Sequence, residues 1–144
     1  MNILIHTHSG LRWIVLLLMI ITIFNAYRLQ YKPHIPRKNK MNLPLYTLVV
    51  FSLQFVLGVI LFFTSSLVNF SEGFMKNPSL RFFGIEHWLL MLIAIVLIHI
   101  GYIRSTRIDY VKAQKTIFLY YLIALLIGIL GIPWPCRGLG NGWF

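Results

Sequence analysis

The chain has 144 residues, of which 58% are hydrophobic and 11% are charged, and its mean hydropathy is +0.78. A soluble domain carries about 25% charged residues, so this composition excludes an ordinary soluble protein. The formal net charge of +10 comes largely from two short loops between apolar segments, which is typical of membrane topology, and we therefore expect no binding of nucleic acid.

Four apolar segments are each long enough to cross a bilayer, since a helical span needs roughly 20 mostly apolar residues. Backbone groups in lipid have to be satisfied within the span, so each segment should be a helix. The predicted helices cover about 3–27, 43–66, 81–103 and 116–132. Short connections favour an all-α integral membrane protein, an antiparallel four-transmembrane-helix bundle that forms one domain over residues 1–144.

The first predicted helix carries His6, His8 and Arg12 near its beginning. Its strictly apolar stretch, 13–24, is too short to span a bilayer alone, so the span has to include part of the segment with these three side chains. His6 and His8 point about 200° apart around a helix, and only one of them can easily face the bundle interior. His8 and Arg12 are four residues apart and share a face.

The third predicted helix carries His87 and His99. If the first helix enters the membrane near residue 3 and the third near residue 82, His8 and His87 both lie roughly 7–8 Å below the boundary. Two histidines at the same depth on two helices of a bundle could be the axial ligands of one haem. His99 lies about 18 Å deeper, where no second histidine is predicted, so we expect no second haem.

Three arginines are predicted near the same membrane face, namely Arg12, Arg81 and Arg137. Any of them could pair with Glu86, or with a haem propionate or another anion close to the membrane surface. A structural alternative is an ion pair between Arg12 and Glu86 that holds two helices together. Gln54, near the middle of the second helix, is interpreted as an interhelical hydrogen-bonding residue.

The charge distribution also predicts an orientation. Excess lysine and arginine in the loops 28–42 and 104–115 places both loops on the cytoplasmic side. Both termini and the loop 67–80 of this multi-pass protein then face the periplasm, or the equivalent outer side. The single cysteine, Cys136, excludes an internal disulfide and a CxxC redox pair.

Several stretches of the sequence resemble a family of small four-helix inner-membrane proteins of Bacteroidota, often labelled cytochrome b-like. These stretches are HTHSGLRW (6–13), LQFVLGVILFF (53–63), LRFFGIEHWLLMLIAIVLIHIGY (80–102) and GIPWPCRGLGNGWF (131–144). Together they extend the resemblance over almost the full length of the chain.

The resemblance implies a bound haem b, with His87 and either His8 or His6 as candidate axial ligands. It also implies polar positions at the outer face, which are Arg12, Arg81 and Arg137. The chain lacks the evenly spaced histidine pairs on two helices of two-haem cytochromes b. An electron path across the whole membrane is therefore not expected from this chain alone.

The leading hypothesis is an electron-transfer subunit in the lipid bilayer that holds one b-type haem near the outer face and exchanges electrons with quinol or a protein partner. We expect an accessory or electron-transfer subunit rather than a stand-alone enzyme. One alternative is a cofactor-free subunit or assembly factor of a larger inner-membrane complex. The other is a copper site formed by His6, His8, His87 and Met91.

Overall fold

The computed structural model describes residues 2–32 and 42–139, which form four long helices and, over those ranges, no strand. The helices are α1 (Asn2–Leu29), α2 (Leu43–Thr64), α3 (Pro78–Ser105) and α4 (Tyr110–Gly131). Each is long and apolar enough to cross a membrane, which confirms the predicted all-α fold of four transmembrane helices. Most of the predicted loop 28–42 and the last residues of the tail lie outside the described ranges.

Each helix packs against its neighbours in the chain, and α1 also packs against α4. The rings of Trp13 and Trp134 lie 6.1 Å apart at one end of the bundle, where α1 begins and α4 ends. The rings of Tyr27 and Phe118 lie 5.6 Å apart at the other end. The bundle is therefore antiparallel. We call the first end the terminal end and the second, which carries the basic connections, the basic end.

Two helices begin earlier than the sequence predicted. α4 begins at Tyr110 rather than at 116, so two lysines that were predicted in a loop lie in its first turns. Ala113 and Ile117 are buried and four residues apart, which continues the packed face of α4 towards the basic end. Lysine stems can lie along such a face while the ammonium groups reach water, which explains why charge alone misplaced this boundary.

α3 begins at Pro78 rather than at 81 because Asn77 caps it. The side-chain oxygen of Asn77 accepts hydrogen bonds from the backbone N–H groups of Ser79 and Leu80, at 3.0 and 3.2 Å. A proline in the first turn loses no helical hydrogen bond, because its N–H would have no partner there. Residues Phe82–Glu86 then form a π-helical segment, a feature that is frequent at functional sites.

The tightly packed core lies in the basic half of the bundle. The hydroxyl oxygens of Thr22 and Thr47 lie 2.6 Å apart between α1 and α2, and the Tyr121 hydroxyl donates to the Pro44 carbonyl at 2.8 Å. α2 is described over its whole length, and its buried residues all lie in its first half: Leu43, Thr47 and Phe51. In the terminal half, the four helices leave space between them.

Candidate functional site

A cavity of about 480 Å³ occupies this space in the terminal half of the bundle. Its walls come from all four helices and are mainly aliphatic and aromatic. Five of its lining residues bring nitrogen-containing side chains, namely His8, Arg12, Gln54, His87 and Trp88, and the Trp88 indole donates to the Gly84 carbonyl of its own helix at 2.8 Å. An apolar cavity of this volume with a few convergent polar groups is the usual form of a site for a small molecule or cofactor.

The structure brings His8 of α1 and His87 of α3 together across the bundle. Their ring centroids are 6.3 Å apart, and their planes are 80° to each other. Two imidazoles on one iron have centroids roughly 6 Å apart, since each Fe–N bond is about 2 Å and each nitrogen lies about 1 Å from its ring centre. The separation of the two rings therefore fits a single metal ion between them.

His87 is held by the end of α4. Its Nδ1 atom lies 2.7 Å from the backbone carbonyl oxygen of Gly131. A carbonyl only accepts hydrogen bonds, so Nδ1 carries the hydrogen and donates it, and in the neutral ring Nε2 keeps a lone pair. Metal-bound histidines almost always donate their other ring N–H in this way, which makes His87 suitable as a ligand through Nε2. The rings of Phe82 and Phe83 lie 5.9 and 6.4 Å from the His87 ring.

His8 is held by two residues of α2 that are one turn apart. The side-chain nitrogen of Gln54 donates to the backbone carbonyl of His8 at 2.8 Å and lies 3.4 Å from His8 Nε2. The Cε1 edge of the ring faces Gly58, where a Cβ atom would lie only 3.2 Å away. The interhelical hydrogen bond predicted for Gln54 is therefore present, and its acceptor is the backbone of His8.

Two polar atoms beside this contact are buried without a hydrogen-bond partner among the described residues. They are Nδ1 of His8 and the side-chain oxygen of Gln54. Buried polar atoms in native proteins are nearly always satisfied, by protein, water or a bound group. The two atoms thus supply hydrogen-bonding capacity that a ligand in the cavity can use. Arg12 supplies positive charge to the same lining, and its guanidinium carbon lies 5.1 Å from the Trp13 ring centroid.

The other two candidate arginines do not line the cavity. Arg81 donates from Nε to a carboxylate oxygen of Glu86 at 2.7 Å, so the partner of Glu86 is Arg81 and not Arg12. Arg137 donates to the carbonyl of Leu130 at 2.8 Å and lies over the Phe82 ring at 4.7 Å. Both side chains stabilise the protein around the site rather than contributing to its lining.

His6 is exposed, and it lies on a different face of α1 from His8. Within residues 2–32 and 42–139, no three His, Cys, Asp or Glu side chains come together as a metal-binding group. A copper site that includes His6 is therefore not assembled, although Met91 does line the cavity. Nδ1 of His99 donates to the Ile95 carbonyl of its own helix at 2.9 Å, not across helices.

Two contributors to the site were missed by the sequence analysis. Gly58 is four residues after Gln54 and thus on the same face of α2, a spacing that can mark a close approach between helices. The Gly131 carbonyl is a backbone group, and only the two prolines that follow it hinted that it lacks a helical partner.

No family model, curated protein or solved structure matches the chain.

Proposed function

We propose that this protein is a membrane-embedded electron-transfer subunit that binds one b-type haem between His8 and His87. The observation that carries the proposal is the 6.3 Å separation of the two imidazoles within an apolar cavity. Haem iron with two histidine ligands cycles between ferric and ferrous states and so supplies one-electron chemistry. The resemblance to the cytochrome b-like proteins of Bacteroidota agrees with this proposal.

The residues of the cavity would have distinct roles. His87 would ligate through Nε2, with Nδ1 held by the Gly131 carbonyl. His8 would be the second ligand; Gln54 holds its backbone carbonyl, and the absence of a side chain at Gly58 leaves room for its ring. Arg12 would compensate the negative charge of a propionate, as arginine does for carboxylates near membrane surfaces. The apolar walls would exclude water and limit exchange of the ligands.

The orientation belongs to the same proposal. The basic end faces the cytoplasm by the positive-inside rule, so the terminal end and its cavity face the periplasmic side of the bacterial inner membrane. A single haem in that half exchanges electrons only on the outer side, with quinol or with a protein partner. Any path to the cytoplasmic side requires a second subunit.

A reduced-minus-oxidised visible spectrum of the detergent-purified protein, with haem quantified as the pyridine haemochrome, tests the proposal. We expect a b-type signal near one haem per chain and its loss in His87→Ala. His99→Ala is the matched control, because His99 bonds within its own helix and does not line the cavity. A folded, colourless wild-type protein would contradict the proposal and favour a cofactor-free subunit, while copper in elemental analysis would favour the copper site.

A further inference from the structure

The end of α4 has an unusual need for hydrogen-bond donors. The last carbonyl groups of any α-helix lack partners within the helix and depend on the residues that follow. If α4 continued, the N–H groups of residues 133 and 135 would donate hydrogen bonds to the carbonyls of Ile129 and Gly131, four residues earlier. Both positions are proline, which has no N–H. A continued α-helix therefore cannot satisfy these two carbonyls, and the one backbone donor near them among the described residues is the Ile132 N–H, 3.4 Å from the Ile129 carbonyl oxygen.

Side chains satisfy them instead. Three consecutive carbonyls at the end of α4 each accept a hydrogen bond from a different side chain. Trp134 Nε1 donates to the Ile129 carbonyl oxygen at 2.9 Å, Arg137 Nη1 to the Leu130 carbonyl oxygen at 2.8 Å, and His87 Nδ1 to the Gly131 carbonyl oxygen at 2.7 Å. The first two donors come from the segment that follows α4, whereas the third comes from α3. His87 is thus both a lining residue of the cavity and a cap of α4.

The same prolines also hold the chain away from the helical path. Ile132 and Trp134, which precede them, have ψ angles of 134° and 143°. A residue before proline is sterically restricted to this extended region. The backbone therefore leaves α4 directly after Gly131, and the carbonyl of Gly131 stays accessible to the ring of His87.

We infer that Pro133 and Pro135 are redundant positioning residues for His87: either proline is enough to keep the Gly131 carbonyl open, and the open carbonyl fixes the imidazole as the tautomer with hydrogen on Nδ1 and a lone pair on Nε2. The assignment of this tautomer follows from the hydrogen bonds alone and does not depend on a bound haem. Its effect on an iron ion rests on the proposed function. An imidazole that donates to a carbonyl is a more basic ligand, which favours ferric over ferrous iron and lowers the midpoint potential.

The test compares the wild type with the double variant Pro133→Ala/Pro135→Ala, which frees residues 132 and 134 to become helical and supplies an N–H at position 135. We expect that N–H to compete for the Gly131 carbonyl. Pro135→Ala alone is the matched control, because Pro133 still keeps Ile132 extended and holds the new N–H away from Gly131. The single variant should therefore behave as the wild type does.

The tautomer is read by nitrogen-15 NMR of histidine-labelled protein in detergent, with the His87 signals assigned from His87→Gln. The wild type should show hydrogen on Nδ1 and a bare or metal-bound Nε2, and the double variant a mixture of tautomers. In haem-containing protein, a redox titration should show a positive shift of the midpoint potential in the double variant only.

A wild-type His87 with hydrogen on Nε2 overturns the inference even where the double variant fails to fold. So does a double variant that is more helical by circular dichroism yet keeps the wild-type tautomer. A haem-free protein with the expected tautomer contradicts only the proposed function, so the two failures are distinguishable.

Discussion

Gly58 of α2 lies directly against the imidazole of His8 of α1, with 3.2 Å between the His8 Cε1 atom and the place where a side chain at position 58 would begin. Contacts this short are rare for real Cβ atoms, so any substitution at this position has to displace the ring. The absence of a side chain at Gly58 is therefore what allows α1 and α2 to approach at the level of the cavity.

Gly58→Leu should abolish haem binding, because its side chain would enter the cavity and displace His8. Gly58→Ala should lower the haem content partly, because a displacement of a few tenths of an ångström suffices for one methyl group. Haem per chain after purification measures both effects. Gly10→Ala is the control, since a Cβ atom at Gly10 meets nothing within 4 Å. Equal haem content in Gly58→Leu and the wild type would contradict the role of this contact.

Gln54→Leu should weaken haem binding while leaving the bundle folded. The substitution removes the donor that binds the His8 carbonyl at 2.8 Å. Loss of such a supporting interaction typically costs a metal site about 10–100-fold in affinity. Titration of haem into haem-depleted protein measures the change. Ser52→Ala should have no effect, because the Ser52 hydroxyl bonds to Leu48 within α2 and lies outside the cavity lining.

Composition was sufficient to predict the helices, because the length of an apolar segment and the position of basic residues act locally in a membrane. It could not decide between His6 and His8. That choice depends on the rotation of α1, which is set by packing against α2 and α4 rather than by the sequence of α1 itself.

The partner of Glu86 was also beyond a sequence argument based on α-helical periodicity. Arg81 was one of three arginines that could pair with Glu86, but residues five apart in an α-helix point about 140° away from each other, so periodicity gave no reason to prefer Arg81. The π-helical segment Phe82–Glu86 widens the turn and brings the two side chains within 2.7 Å. Nothing in the sequence FFGIE (82–86) predicts that this segment is π-helical rather than α-helical.

Glu86→Gln should reduce the stability of the protein only slightly. The side chains of Arg81 and Glu86 are 43% and 36% exposed, and ion pairs of this kind contribute about 0–1 kcal/mol. The free energy of unfolding in mixed micelles should decrease by an amount within that range, and the decrease should be smaller at high salt. Asp109→Asn removes a more exposed pair with Lys112 and should change even less. A large loss of haem in Glu86→Gln would contradict this prediction, because it would show that the ion pair positions His87 and does more than stabilise the protein surface.

Thr47→Val should destabilise the basic half of the bundle. The Thr47 hydroxyl is buried, 2.6 Å from Thr22 and 3.0 Å from the Leu43 carbonyl. Hydrogen bonds between membrane helices contribute about 0.6 kcal/mol on average and up to about 1.7 kcal/mol, and we expect a loss within these limits. Unfolding in mixed micelles measures it. Thr64→Val is the control, since the exposed Thr64 bonds only to Ile60 of its own helix, and equal losses in both variants would contradict an interhelical role.

Cys136 offers a direct test of the proposed orientation. It is exposed and lies in the short turn Pro135–Arg137 directly after α4, at the terminal end of the bundle. A membrane-impermeant maleimide should therefore label the native protein in intact spheroplasts. In the variant Cys136→Ser/Thr106→Cys, the thiol moves to the exposed connection at the basic end, and labelling should require disruption of the membrane. The reverse pattern would place the histidine cavity in the cytoplasmic half, and electron exchange would then occur on the inner side of the membrane.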